Sequence, residues 1–224
     1  MRISIIIPVR NEAENIGRLL CALQPYRDRG HEVIVVDGGS EDETMVIANS
    51  LADTLLQSPA GRSHQMNAGS KEAKGEVLWF LHADSELPEQ ADELIISAVT
   101  TGAYTWGRFD VRLSGRQKLL RVVEKMMNLR SRLTGIATGD QGIFISRRLF
   151  EKAGGYPDQL LMEDIALCKH LKKYQAPVCL REKLETSSRR WEQRGIIRTI
   201  LLMWRLRMAY FLGVPAEKLA LLYD

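Results

Sequence analysis

From Ile3 to Val99, short β-branched runs alternate with longer segments whose apolar residues recur every three or four positions. This alternation admits few folds. Strand-period and helix-period segments bury their apolar faces differently, and repeated βα order with crossovers of this length builds a mostly parallel sheet covered by helices. Strands are predicted at residues 3–8, 32–37, 54–57 and 76–82, with helices over 12–26, 42–51, 61–74 and 88–99. After Gly102 the pattern loosens. It gives a strand over 104–113, a helix over 117–133, a glycine-punctuated stretch over 135–142, a strand over 143–146, and helices over 165–174 and 196–212, the last ended by Gly213 and Pro215.

The 224 residues suit one ordinary domain, or one body made of two halves. At 45% hydrophobic and 26% charged, with 7 Pro and 17 Gly, the chain can bury a sizeable core and is neither disordered nor fibrous. Its net charge of +3 is too small for general polyanion binding, so nucleic acid is not an expected partner. Cys21, Cys168 and Cys179 form no CxxC, which argues against a disulfide framework or zinc knuckle and for a reducing compartment. The run from Ile3 to Val9 is too short for a signal-peptide core. Arg198, Arg205 and Arg207 interrupt the apolar stretch that follows Ile196, so no segment is expected to span a bilayer.

The first, second and fourth predicted strands end at Pro8, Asp37 and His82. The polar clusters behind them should therefore meet at the carboxyl edge of the sheet, where open α/β sheets bind ligands. Asp37 leads into Gly38, Gly39, Ser40 and Asp42. A carboxylate there can accept from a ring N–H or a ribose hydroxyl while glycines admit a ligand to the backbone; a tight turn capped by Ser40 or Asp42 reads equally from the same residues. In VLWFLHADS, Asp84 is placed to hold Mg²⁺ or Mn²⁺ against a diphosphate, and His82 is either a hydrogen-bonded strand-end histidine or a ligand. Glu163 and Asp164 open a helix, as dipole partners or as a general base with its neighbour. Arg62 and the Arg189-Arg190-Trp191 group offer planar forks for phosphate. From Arg181 to Arg207 eight Lys or Arg face three Glu, a local basic surface that, with the apolar helix beside it, suits an anionic membrane face or a phosphorylated lipid; packing into the core is the other fate of such a helix.

The ordered set IIIPVRNE, VVDGGSED, GRSHQMNAG, FLHADS, GDQGIF, MEDIAL and RRW, spanning about residues 3 to 191, resembles the family 2 glycosyltransferases. The tail WRLRMAYFLGVP is similar to a small bacterial branch labelled arsenosugar-biosynthesis-type glycosyltransferases. The resemblance implies a GT-A (Rossmann-like) α/β fold, with a mixed, mostly parallel sheet flanked by helices and a helical C-terminal extension. It implies a single domain over 1–224, whose residues 1–101 form the nucleotide-sugar half and 102–224 the acceptor half. Carried onto this sequence, it lines the donor site with Pro8, Val9, Asn11, Glu12, Asp37, Gly39, Arg62, Asp84 and Arg190. Asp84 matches the last carboxylate of the family's DXD metal motif, with His82 in place of the first Asp, and Gly38 stands where many members have a second Asp after Asp37. Asp164 matches the catalytic base, with Glu163 beside it. Gly139, Asp140, Gln141 and Trp191 fall on the acceptor side. Arg190 and Trp191 resemble the end of the QXXRW element of processive members, but Thr186, Ser187 and Ser188 stand where its Gln would be, and processivity is not implied.

The expected activity is an inverting, metal-assisted transfer from a nucleotide-sugar to a hydroxyl on a small or lipid-linked acceptor. The expected setting is cytoplasmic, with peripheral contact on the inner membrane face through the basic C-terminal helix. Two alternatives stand beside it. A sugar-phosphate nucleotidyltransferase would use a similar sheet, but PVRNE replaces the glycine-rich loop expected after the first strand. A non-catalytic nucleotide-sugar-binding module would have no need of Asp37, Asp84 and Asp164 together. A dehydrogenase fits less well, because no GxGxxG follows the first strand.

Overall fold

The computed structural model describes residues 1–223. The elements run β1 (Ile3–Val9), α1 (Ala13–Asp28), β2 (Glu32–Asp37), α2 (Thr44–Asn49), β3 (Thr54–Gln57), α3 (Arg62–Glu72), β4 (Val77–Phe80), α4 (Ala91–Val99) and β5 (Trp106–Leu113). They continue with α5 (Lys118–Thr134), a single 3-10 turn (Gly139–Gln141), β6 (Phe144–Ser146), α6 (Arg147–Ala153), α7 (Glu163–Leu171), β7 (Val178–Thr186), α8 (Arg189–Arg194), α9 (Ile196–Phe211) and α10 (Ala216–Tyr223). One sheet of seven strands carries the order β3-β2-β1-β4-β6-β5-β7. Only β6 runs against its neighbours, being antiparallel to both β4 and β5.

The central strands are apolar along their whole length because helices cover both faces, as parallel sheets require. Alternation then sorts β1. Ile3, Ile5, Ile7 and Val9 join the core under α1 and α4, while Ile6 joins the opposite core with Met66 of α3 and Leu167 of α7. Pro8 sits in β1 without breaking the ladder to β4, because that pairing ends at Ile6 opposite Phe80. A third, smaller core of Leu113, Leu120, Val123 and Ile196 ties β5 and α5 to α9.

The predicted elements of the first half reappear within three residues at each end. In the second half β7, α6, α8 and α10 lie outside the predicted set. The edge strand β7 explains one omission, since its exposed stretch Arg181–Lys183 has charged side chains and no clean two-residue alternation. Helix α7 begins at Glu163 rather than 165, because Met162 takes a left-handed turn (φ 64°) immediately before it. Both carboxylates therefore lie in its first turn.

Candidate active site

Strands β1 and β2 end together, with Val9 opposite Asp37. Gly38 N–H donates to Val9 O at 2.9 Å, and the buried Gln65 amide of α3 donates to Val9 O and Val36 O, both at 2.8 Å. A Cβ at 38 would stand 3.0 Å from that amide, so a larger residue there would have to displace the Gln65 side chain. The loop after β1 is tied to the loop after β2: Asn11 N–H donates to Ser40 Oγ, Asn11 Oδ1 accepts from Glu41 N–H, and Glu12 N–H donates to Thr44 Oγ1. Asp37 is buried and accepts from Gly39 N–H, Ser40 N–H and Ser40 Oγ. Ser40 N–H is shared between both oxygens, so each oxygen takes two contacts and the carboxylate organises the loop. Asp42 is purely structural, accepting from Thr44 N–H and Ala13 N–H.

Beyond β4 a second group gathers. Paired backbone bonds between Glu86 and Glu185, at 2.7 and 2.9 Å, pin the loop after β4 against the end of β7. Asp84 is thereby set beside Thr186 Oγ1 and Ser187 N–H, at 3.4 and 3.3 Å, contacts long enough to leave its oxygens open to a stronger partner. His82 Nδ1 lies 3.3 Å from Asp140 Oδ1. On the other side of the 3-10 turn, Gly139 N–H donates to Asp164 Oδ2 at 2.7 Å. Asp164 Oδ1 has no hydrogen-bond partner among the described residues.

Arg62 opens α3 and faces this group. It is exposed to solvent and makes no hydrogen bond or ion pair among the described residues. Dense surroundings work against its charge, but Glu163, Asp164, Asp140 and Asp84 outweigh them and hold it above its ordinary value. Those four carboxylates lie within charge range of Arg62, and Gln65, on the next turn of the same helix, reaches the end of β2 beside Asp37. Burial pushes Glu163 up to about 7, with the Asp164 charge adding to the rise and Arg62 opposing it. Asp164 is also raised by burial, against the pull of His82, Arg62 and the Gly139 N–H. Asp140 goes the other way: burial would raise it, but the bond to His82 and the charges of His82, Arg62 and Arg190 bring it below the usual range. Among the described residues no three His, Cys, Asp or Glu side chains converge to hold a metal by themselves.

Residues 4–152 match the model of the family described as Glycosyl transferase family 2. The chain belongs to that family. Among curated members it is 36% identical to Glycosyltransferase AglE of Haloferax volcanii, over 44% of this chain and 35% of that one. It is 29% identical to an undecaprenyl-phosphate 4-deoxy-4-formamido-L-arabinose transferase of Yersinia enterocolitica, over 64% of this chain and 47% of that one. The chain thus spans less than half the length of these relatives. Its fold matches that of S. aureus TarS (TM-score 0.68, 20% identity, 84% of this chain and 37% of that one). It also matches the mannosyltransferase PcManGT from Pyrobaculum calidifontis, solved with GDP-Man and Mn²⁺ (TM-score 0.64, 21% identity, 93% and 61%).

Not every position carried over from family 2 reaches the cleft. Gln141 is completely buried, its amide spanning Thr138 N–H, Phe109 O and Asn128 Oδ1, so it fixes the loop and presents nothing to an acceptor. Trp191 packs on the third core rather than over the cleft. Arg190 is exposed, lies over the Tyr223 ring at 4.5 Å and still acts on Asp140. Arg189 pairs with Glu14 at the surface. Conversely, Arg130 of α5, Tyr156 and Tyr210 of α9 have no place in the sequence reading, and Arg207 of α9 enters it only as a charge of the basic C-terminal segment. Tyr156 and Tyr210 are raised first by burial and then by the Asp164 or Glu163 charges. A usable signal existed for the arginines, which recur seven residues after the core-facing Val123 and Ile200.

Proposed function

We propose that this family 2 member transfers a glycosyl group from a nucleotide-sugar to an acceptor hydroxyl with inversion at the anomeric carbon. The observation that carries the reading is Arg62, exposed at the start of α3 with no hydrogen-bond or ion-pair partner among the described residues and within charge range of the base candidate Asp164 and of Asp84. The nucleoside would lie along Pro8, Val9, Asn11, Glu12, Asp37 and Gly39, and its diphosphate toward Arg62 and Arg190. Structural neighbours described as complexes with UDP, with UDP-GlcNAc and with GDP-Man support a nucleotide-linked donor.

Asp164 takes the acceptor proton on its free Oδ1. Its raised affinity for a proton, set by burial, makes it a stronger base than an exposed aspartate, and such assistance is worth about 10²- to 10⁴-fold. The acceptor oxygen forms its bond to the anomeric carbon as the bond to the diphosphate oxygen breaks, and Arg62 receives the charge that develops on the leaving group. The open Asp84 oxygens fit a divalent cation shared with the diphosphate, since Mg²⁺ sites commonly use one or two carboxylates plus phosphate oxygens. When bound, that cation would supply Lewis-acid charge at the departing phosphate. The test is Asp164→Asn: turnover should vanish while nucleoside diphosphate binding stays, and an active, folded variant removes Asp164 as the base.

A second observation supports membrane contact. Leu119, Val122, Met126, Leu129 and Leu133 of α5, and Ile197, Leu201, Trp204, Met208 and Phe211 of α9, form exposed stripes at alternating three- and four-residue steps. The only acid on either helix is the buried Glu124, whereas Lys118, Lys125, Arg198 and Arg205 are exposed. Between α9 and α10 a groove of about 560 Å³ is lined by Arg194, Arg198, Arg205, Leu201 and Leu222. This combination suits an anionic lipid surface. No helix among the described residues is long and apolar enough to cross a bilayer.

A further inference from the structure

Two arginines on the packed helices α5 and α9 feel the charge of Asp140, and Arg207 that of Asp164, without pairing with either among the described residues. Arg130 of α5 keeps its Nε and Nη2 atoms buried with no hydrogen-bond partner. Arg207 of α9 is half-buried and makes no hydrogen bond or ion pair among the described residues. Burial, followed by the charge of Arg207, brings Arg130 down to about 10. Burial also lowers Arg207, against the attraction of Asp140 and Asp164. The neighbouring Arg108, by contrast, is completely buried but bonded to Asp110, which also receives Arg132.

Two like charges held together in a partly dry place are unfavourable unless an anion completes them. Among the described residues neither Asp140 nor Asp164 makes an ion pair with either arginine, and Arg130 Nε and Nη2 are left without a hydrogen-bond partner. An anion for this place has two requirements. It must answer two positive charges, which a monoester phosphate of charge about −1.5 to −2 does and a single carboxylate does not. It must also offer several oxygens to planar forks, as a phosphate does.

We infer that Arg130 and Arg207 form an anion subsite between α5 and α9 that holds a phosphate monoester carried by the acceptor. The inference rests on the glycosyl-transfer reading above and narrows its acceptor to phosphorylated molecules. The phosphate could belong to a lipid, whose chain would leave along the apolar stripes of the same two helices, or to a soluble phosphorylated alcohol.

The experiment uses the full chain with the donor site first saturated by UDP or GDP, so that added phosphate does not report the diphosphate site. Binding of farnesyl phosphate, glycerol 3-phosphate and farnesol is then titrated by calorimetry in the wild type, Arg130→Met, Arg207→Met and the double variant. The phosphates should bind and farnesol should not compete at the same site. Each single variant should weaken phosphate binding at least tenfold while leaving nucleotide binding unchanged. Melting temperatures of the variants should rise, because an unpaired buried charge has been removed; a purely structural arginine would lower them. A tenfold preference for farnesyl phosphate over glycerol 3-phosphate assigns the lipid source, and the reverse preference assigns the soluble one. Undiminished phosphate affinity in the double variant overturns the subsite, as does a nucleotide-bound wild type that takes neither phosphate. A wild type that binds the phosphates through these arginines but no nucleoside diphosphate would instead strike the donor reading and leave the subsite standing.

Discussion

Gly139 N–H holds Asp164 Oδ2 at 2.7 Å, and glycine is the residue that permits the approach: a Cβ at 139 would lie 2.3 Å from His82 Nε2 and 3.2 Å from the same Asp164 oxygen. The loop backbone thus orients the proposed base and touches the histidine that steadies Asp140. Gly139→Ala must displace one of these groups. We expect its kcat to fall at least tenfold, equivalent to about 1.4 kcal/mol of barrier, with nucleotide binding preserved. Steady-state kinetics beside a nucleotide titration checks this, and unchanged kcat would mean that the loop does not set the base.

Glu163 gives a stability prediction with a definite sign. Its carboxyl is raised from 4.5 to about 7 by burial first and by the Asp164 charge second. The folded state therefore binds a proton more tightly than the unfolded state, so this contribution is complete below about pH 4.5 and is lost as pH rises through about 7. Its size is on the order of 3 kcal/mol, shared with Asp164 because the pair titrates together. Urea denaturation between pH 4 and 8 should show this decline, and Glu163→Gln should flatten it. An identical slope in the variant would place the titration elsewhere. Activity should run opposite to stability, rising with pH as Asp164 loses its proton, and burial moves that rise above the ordinary aspartate range.

The positions of these groups were legible to different degrees. Asp37 and Asp84 could be located because β-branched runs mark strand ends and parallel connectivity brings those ends to one edge. Motif order could not give side-chain direction. Gln141 and Gly139 are two residues apart in one 3-10 turn, yet Gln141 turns into the protein while Gly139 meets Asp164. Trp191 likewise follows Arg190 but packs under α9. Arg130 and Arg207 do not read as site residues because both helices also carry outward apolar stripes, so two faces compete for the same periodicity and the charged inner positions do not stand out.

The buried side of Trp191 leads to a contrasting substitution. The ring fills the third core against Leu113, Leu120, Val123 and Ile196 and anchors α8 and α9 to α5. Trp191→Ala should lose about 2 kcal/mol, below the usual 3–5 for a fully buried aromatic because the ring is only partly covered. Its nucleotide affinity should be unchanged. Thermal denaturation with a parallel nucleotide titration decides it; full stability with lost turnover would return Trp191 to the acceptor side.

Membrane contact is testable through Trp204. Trp79 and Trp106 are fully buried and Trp191 partly so, whereas Trp204 is 62% exposed on the outer face of α9, with Phe211 79% exposed two turns on. Insertion of that face into a bilayer would move Trp204 from water to the headgroup region and shift emission to the blue. Each exposed Lys or Arg near an anionic surface adds about 1 kcal/mol, screened within a Debye length of about 10 Å at 0.1 M salt. Vesicles containing phosphatidylglycerol should therefore bind the protein and shift its emission, whereas pure phosphatidylcholine should do so weakly. The charge contribution should fall at 1 M salt, and Trp204→Glu with Phe211→Ser should abolish pelleting without lowering the melting temperature, since neither side chain supports the core. Equal pelleting of that double variant and the wild type would show that the apolar stripe of α9 is not the surface that meets lipid.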